Sequence, residues 1–284
     1  MILWIASYPK SGNTWVRSLI SSYFFSSDGN FSQTLLNNIP QFPEKKYFEN
    51  FNYDKSIVTS TVNYWISAQE LINQRKKINF IKTHNFLGAI NGNNFTDKKN
   101  TKAAIYIIRD PRNIITSLKN HYELNYDEAL AFMLNEKKYI YDTFKKNDFS
   151  DFQFLSSWEK HYQSWTKQKI FNIKFIKYED LQKNTFYTFK EIVIFINNVF
   201  GFQNKFDINK AKNSIKSTSF NKLKNIEINE GFNESLTSRK EGKKIPFFYL
   251  GPQNDWKEIV PQNYQKLLNL KFETILKELH YDIN

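Results

Sequence analysis

The run Tyr8-Pro9-Lys10-Ser11-Gly12-Asn13-Thr14-Trp15 has the residue types and order to grip an anion. It follows an apolar stretch, Ile2 to Ile5, and opens a segment of helical periodicity, so it reads as a strand, a tight turn and a helix start. Unpaired N–H groups point outward at a helix start and the helix dipole adds positive potential, which suits a phosphate. Against the phosphate-loop frame Gly-x-x-x-x-Gly-Lys-Thr, this chain has Ser7, Gly12, Asn13 and Thr14, and its lysine comes earlier, at Lys10. A lysine in the usual place serves the terminal phosphates of a magnesium nucleotide. One on the crown of the turn reaches the bridging oxygen of a group already cradled, the position of a leaving group. The alternative is an ordinary strand-to-helix turn that happens to hold Lys and Gly.

Two further clusters end apolar, β-rich runs. Ile105 to Ile108 leads into Arg109-Asp110-Pro111-Arg112-Asn113, after which helical periodicity resumes at Ile114 and carries Ser117. Arg109 there can clamp a second phosphate with Ser117 as a neighbouring donor, or it can form a structural ion pair with Asp110. Phe80-Ile81-Lys82-Thr83-His84 is another short strand ending in polar groups. Singly, a lone histidine is ordinarily structural. Together, three strand ends at the carboxyl edge of a parallel sheet are where an open α/β fold collects its ligand chemistry.

The order phosphate turn, Lys-Thr-His, then Arg…Ser resembles the sulfotransferase family that uses 3′-phosphoadenylyl sulfate as donor. Phe175 to Leu181, with Tyr178-Glu179-Asp180, resembles that family's strand ending in Tyr-Glu-Asp, and Ser217-Thr218-Ser219-Phe220 its adenine segment. Arg239-Lys240-Glu241-Gly242 and Asn254-Asp255-Trp256-Lys257 resemble its late Arg-Lys-Gly…Gly-Asp-Trp-Lys signature. The resemblance runs from Tyr8 to Lys257 and implies an α/β fold, a mostly parallel central sheet flanked by helices, phosphate-loop-like, as one domain over residues 1–284. It implies sulfuryl transfer to a hydroxyl or amine acceptor with His84 as general base, Lys10 neutralising the departing 5′-phosphate and Lys82 holding the sulfuryl oxygens. Lys10, Ser11, Gly12, Asn13 and Thr14 would bind the 5′-phosphosulfate, and Arg109, Ser117, Arg239 and Lys240 the 3′-phosphate. Trp15, Tyr178, Thr218 and Phe220 would surround the adenine. In relatives the serine equivalent to Ser117 also contacts the catalytic lysine. No metal is implied, because the donor lacks the triphosphate that magnesium bridges.

The chain departs from the family pattern in three places. Asn13 stands where Thr is common, Glu241 interrupts Arg-Lys-Gly, and Ile245 to Leu250 lengthens the interval before Asp255. The Lys-Thr-Val dimer signature of many cytosolic relatives is not recognisable, which leaves the oligomeric state open.

The elements needed to position these groups read as a strand at 2–7, helix 13–25, a loop-rich stretch 26–56, a helix near 64–76, and strands at 78–83, 103–108 and 172–177. Helices dominate to about 168 and recur near 184–199, 206–214 and 261–279. Loops cover 92–100 and 231–255, the second expected to fold over bound donor as a lid. With 284 residues the chain is long enough for a sizeable core. It has no cysteine, which excludes disulfides and thiol chemistry, and its four histidines are scattered. No apolar stretch approaches a membrane span and strand residues follow Met1 at once, so a cytoplasmic protein is expected. The net charge of +12, with lysines thickening at 210–224 and 239–244, suits an anionic ligand or is simply a solvated face.

Residues 26–76 and 121–165 are expected to line the acceptor pocket, with His121, Tyr122, Trp158, His161 and Trp165 as candidates; His161 and Trp165 could equally be packing groups. Aromatic alcohols, sugars and lipid-linked glycans all fit an aromatic pocket. Two other classes share the cradle: a phosphate-loop phosphotransferase or nucleoside triphosphatase, and a catalytically silent protein that binds an anionic glycan or nucleic acid through charge.

Overall fold

The computed structural model describes residues 1–283 except 75–76, 142–147, 204 and 239–240. Its strands are β1 (Ile2–Ser7), β2 (Asn79–Thr83), β3 (Ala89–Ile90), β4 (Asn93–Asn94), β5 (Thr101–Ile108), β6 (Tyr139–Ile140), β7 (Gln153–Phe154) and β8 (Asn172–Lys177). The helices are α1 (Asn13–Phe25), α2 (Trp65–Asn73), α3 (Pro111–Tyr122), α4 (Tyr126–Leu134), α5 (Trp158–Thr166), α6 (Tyr178–Lys183), α7 (Thr185–Phe200), α8 (Ile208–Ser217), α9 (Phe220–Glu230), α10 (Trp256–Ile259) and α11 (Gln262–Glu278).

Four strands form the central sheet in the order β2-β1-β5-β8, and every pairing is parallel. Period-two alternation sorts their side chains onto two faces. Trp4, Ala6, Ala104, Tyr106 and Ile108 join a core completed by Ile114, Ile115, Trp158, Trp165 and Phe272. Leu3, Ile5, Ala103, Ile105 and Ile107 join the opposite core with Val16, Leu19, Ile20, Phe189, Ile192 and Val193. All six β1 residues are buried, as expected of an inner strand covered by helices on both faces.

Register fixes the site. Ala6 pairs with Thr83, Ser7 with Ile107 and Ile108 with Lys177, so His84, Tyr8 to Lys10, Arg109 and Tyr178 emerge side by side on one edge. Adjacent strand ends are laced together: Glu179 accepts hydrogen bonds from Asp110 N–H (3.0 Å) and from the Tyr281 hydroxyl (2.8 Å).

The long elements match their sequence reading within a few residues. Unforeseen were α9, which buries Leu223 alone, and the two-residue pairings β3–β4 and β6–β7. The Arg109–Asp110 pair is also corrected. Asp110 caps α3 and binds Arg112 at 2.7 Å, while Arg112 stacks 3.9 Å from the Trp256 ring centroid. Arg109 therefore stays available to the sheet edge.

Candidate active site

The turn after β1 is built on two left-handed residues, Lys10 (φ 66°) and Gly12 (φ 95°). A Cβ on Gly12 would lie 2.5 Å from Tyr178 Cδ2, so glycine meets both the backbone requirement and the ring's approach. Asn13 turns inward, donating to Ile5 O (3.0 Å) and Ser7 Oγ (3.2 Å), which ties the helix start to the strand. No side chain caps α1, so its first-turn N–H groups lack side-chain partners.

A cleft of about 1150 Å³ runs along the sheet edge. It is lined by Lys10, Gly12, Asn13, Thr14, Trp15, Lys82, His84, Arg109, Ser117, Tyr178, Thr218 and Phe220, which brings together all but three of the site residues expected from sequence. Ser11 lies beneath the turn, 1% exposed. Arg239 and Lys240 lie outside the described residues. Gly242 has no neighbouring atom where a side chain would stand, whereas Gly251 packs on Phe220 and lines the cleft with Tyr249, Leu250 and Pro252.

At one end of the cleft Trp15 and Tyr178 meet edge to face at 5.7 Å, and the Arg109 guanidinium lies 4.3 Å over the Tyr178 ring. Arg109 Nη1 donates to Lys10 O (3.0 Å) and to Ser117 Oγ (3.4 Å). Ser117 Oγ also accepts from Asn254 Nδ2 at 3.3 Å and donates to Asn113 O at 3.4 Å. Thr218 Oγ1 donates to Ser214 O (2.7 Å), closing the end of α8.

Toward β2, His84 Nδ1 is 2.7 Å from Ser7 O, and its backbone N–H donates to Gln153 Oε1 at 2.8 Å. A ring N–H given to that carbonyl leaves Nε2 as the acceptor nitrogen. Burial, then the Lys82 charge, lowers the imidazole to about 3. Lys10 Nζ sits 4.0 Å over the Phe247 ring, and burial brings it down to about 7, with Arg109 and Lys82 pushing the same way against Glu234. Burial also lowers Lys82.

Buried polar atoms without a hydrogen-bond partner gather here: Lys10 Nζ, Ser11 Oγ, Asn13 Oδ1, Arg17 Nε and Arg109 Nε. Such groups are costly unless a ligand meets them. Among the described residues no group of three or more His, Asp or Glu side chains is arranged to hold a metal.

Sequence reasoning missed Glu234. Its carboxylate accepts from Thr14 Oγ1 (2.7 Å), Arg17 Nη1 (2.5 Å) and Lys82 Nζ (3.1 Å). Burial opposes its ionisation, but Lys82, Arg17 and the Thr14 hydroxyl outweigh that and hold it well below the usual carboxylate range.

The acceptor candidates divide. His121 and Tyr122 line the cleft; Trp158, His161 and Trp165 are core residues, each at most 1% exposed. The latter two brace the His84–Asn85 backbone from behind. His161 Nε2 lies 3.0 Å from His84 O, with Nδ1 2.9 Å from the Tyr106 hydroxyl, and Trp165 Nε1 donates to Asn85 O at 3.1 Å.

Residues 2–280 match the sulfotransferase domain family model. The chain belongs to the sulfotransferase family. It is 23% identical over 247 residues to a luciferin sulfotransferase of Photinus pyralis, covering 85% of this chain but 61% of that protein, so the chain spans about three fifths of this relative's length. Among solved structures, mouse sulfotransferase SULT7A1 complexed with PAP aligns with TM-score 0.58 and 21% identity, covering 98% of this chain and 83% of that one. A retinol dehydratase complexed with retinol and PAP aligns with TM-score 0.59 and 16% identity, covering 97% and 81%. The sulfotransferase fold is thus shared with proteins that hold PAP, 3′-phosphoadenosine 5′-phosphate. Among the described residues no helix is long and apolar enough to cross a membrane.

Proposed function

We propose that this sulfotransferase-family chain moves a sulfuryl group from 3′-phosphoadenylyl sulfate to an acceptor hydroxyl. The observation that carries the reading is the convergence of unpartnered Lys10, Ser11, Arg17 and Arg109 groups on a helix start, beside an imidazole whose Nε2 is left as acceptor. The backbone around Gly12 with Ser11 and Thr14 binds the 5′-phosphosulfate; Arg109 and Ser117 bind the 3′-phosphate; Trp15, Tyr178 and Phe220 enclose the adenine. Arg239 and Lys240 are assigned to the 3′-phosphate on family resemblance alone.

His84 starts neutral, as a base must. Negative charge arriving with the donor raises its affinity for a proton, offsetting Lys82. His84 Nε2 takes the acceptor's proton while the acceptor oxygen bonds to sulfur and the bond from sulfur to the 5′-phosphate oxygen breaks. Lys10 meets the charge that develops on that oxygen, and Lys82 the charge on the sulfuryl oxygens. Fixed charges aimed at those atoms stabilise the transition state without reorganisation. The fold shared with a retinol-bound neighbour supports a small-molecule alcohol as acceptor.

Radiolabelled donor incubated with a panel of phenols, sterols and glycosides tests the reading, with label in any acceptor as the expected result. In a parallel thermal-shift titration, stronger stabilisation by magnesium ATP than by PAP would favour a nucleoside triphosphatase instead.

A further inference from the structure

A carboxylate in the middle of an anion-binding cradle is the least expected feature of the cleft. Glu234 comes from the segment after α9, yet it reaches Thr14 on α1, Arg17 one turn further on, and Lys82 at the end of β2. Arg17 and Lys82 are 5% and 8% exposed, so both charges need a counter-ion. The Glu234 side chain itself is 24% exposed and faces the cleft.

Hydrogen-bond capacity decides what happens when another anion enters. Thr14 has one hydroxyl proton, and Glu234 Oε2 holds it at 2.7 Å. Glu234 Oε1 engages Arg17 and Lys82 together. An incoming 5′-phosphate needs the same Thr14 proton and the same positive charge, and it would stand against a carboxylate. Like charges within a few ångströms in a partly desolvated cleft repel by several kcal/mol.

We propose that Glu234 is a donor-site residue that stands in for the 5′-phosphosulfate and is exchanged for it, anion for anion, when donor binds. This rests on the assignment of the cradle to the donor's 5′ end. It makes 5′-site affinity the difference between two anions, so the apparent dissociation constant is the intrinsic one divided by the fraction of protein with Glu234 withdrawn. It also couples donor entry to loosening of residues 231–237, because the Glu234 bonds to Thr14, Arg17 and Lys82 tie that segment to α1 and to the end of β2.

The test is isothermal titration of wild type and E234Q with PAP, adenosine 5′-monophosphate and adenosine 3′-monophosphate. Exchange predicts that E234Q binds the two 5′-phosphates at least tenfold more tightly and the 3′-monophosphate within twofold of wild type. Equal tightening of all three nucleotides, or no tightening of any, overturns the proposal. Wild type that binds none of the three overturns the donor assignment itself, a result distinct from wild type binding PAP without a gain in E234Q. Because E234Q leaves two buried cations without a counter-ion, wild type supplies a second readout by amide hydrogen exchange. Residues 231–237 should exchange faster with adenosine 5′-monophosphate than without ligand, and unchanged or slower exchange overturns the proposal.

Discussion

The His84 ring stands with Nδ1 2.7 Å from the carbonyl oxygen of Ser7, the last residue of the neighbouring strand. One strand thereby sets the tautomer of the proposed base carried by another, and the same strand leads into the turn at Lys10–Gly12. On the proposed mechanism, orientation of the base and placement of the leaving group share a single support.

Removing that base should separate chemistry from binding. His84→Ala is expected to cut turnover at least tenfold, about 1.4 kcal/mol of transition-state stabilisation, with PAP affinity within twofold of wild type by calorimetry. Near-normal turnover would show that the proton leaves by another route.

Lys10 gives a pH dependence of binding. In the free protein it titrates near 7, and a bound phosphate favours its charged form. Above about pH 7 binding therefore takes up a proton, and PAP affinity should fall by up to tenfold per pH unit, levelling off below that point. Lys10→Ala should bind more weakly and lose the slope. A flat wild-type profile between pH 7 and 9 would contradict this.

Acid stability follows from three histidines. His84, His121 and His161 are lowered to about 3, 2 and 3, in each case chiefly by burial. Each folded value lies below the unfolded one near 6.5, so the unfolded chain binds more protons and stability rises with pH across the interval. The contribution is complete above about 6.5 and is lost as pH falls toward 3, at up to about 1.4 kcal/mol per pH unit for a fully buried ring. Denaturant midpoints measured from pH 7 to 4 should decline steeply, and His161→Asn should flatten the decline.

Gly12→Ala probes the turn. The new methyl meets the Tyr178 ring at 2.5 Å and the backbone keeps φ at 95°, which together cost about 1–3 kcal/mol. We expect a lower melting temperature and PAP binding weakened at least tenfold; an unchanged titration would mean that the turn does not hold the nucleotide.

The strand-end groups were legible in sequence because parallel pairing carries every strand's carboxyl end to one edge, so Lys10, His84, Arg109 and Tyr178 had to become neighbours. For the helix bearing Trp158, His161 and Trp165 the packing alternative holds, for an equally simple reason. Spacings of three and four put those rings on one helical face, and that face meets the sheet. Glu234 left no trace to read: its partner Thr14 is 220 residues away, and a carboxylate argues against an anion site until its neighbours are known.

The bonds from His161 and Trp165 to the backbone of His84 and Asn85 have a longer reach. Because the proposed proton acceptor is bolted to the protein interior, residues on the open side of the cleft are free to diverge without unseating it. Substrate preference in such a scaffold can drift while the machinery of transfer stays in register.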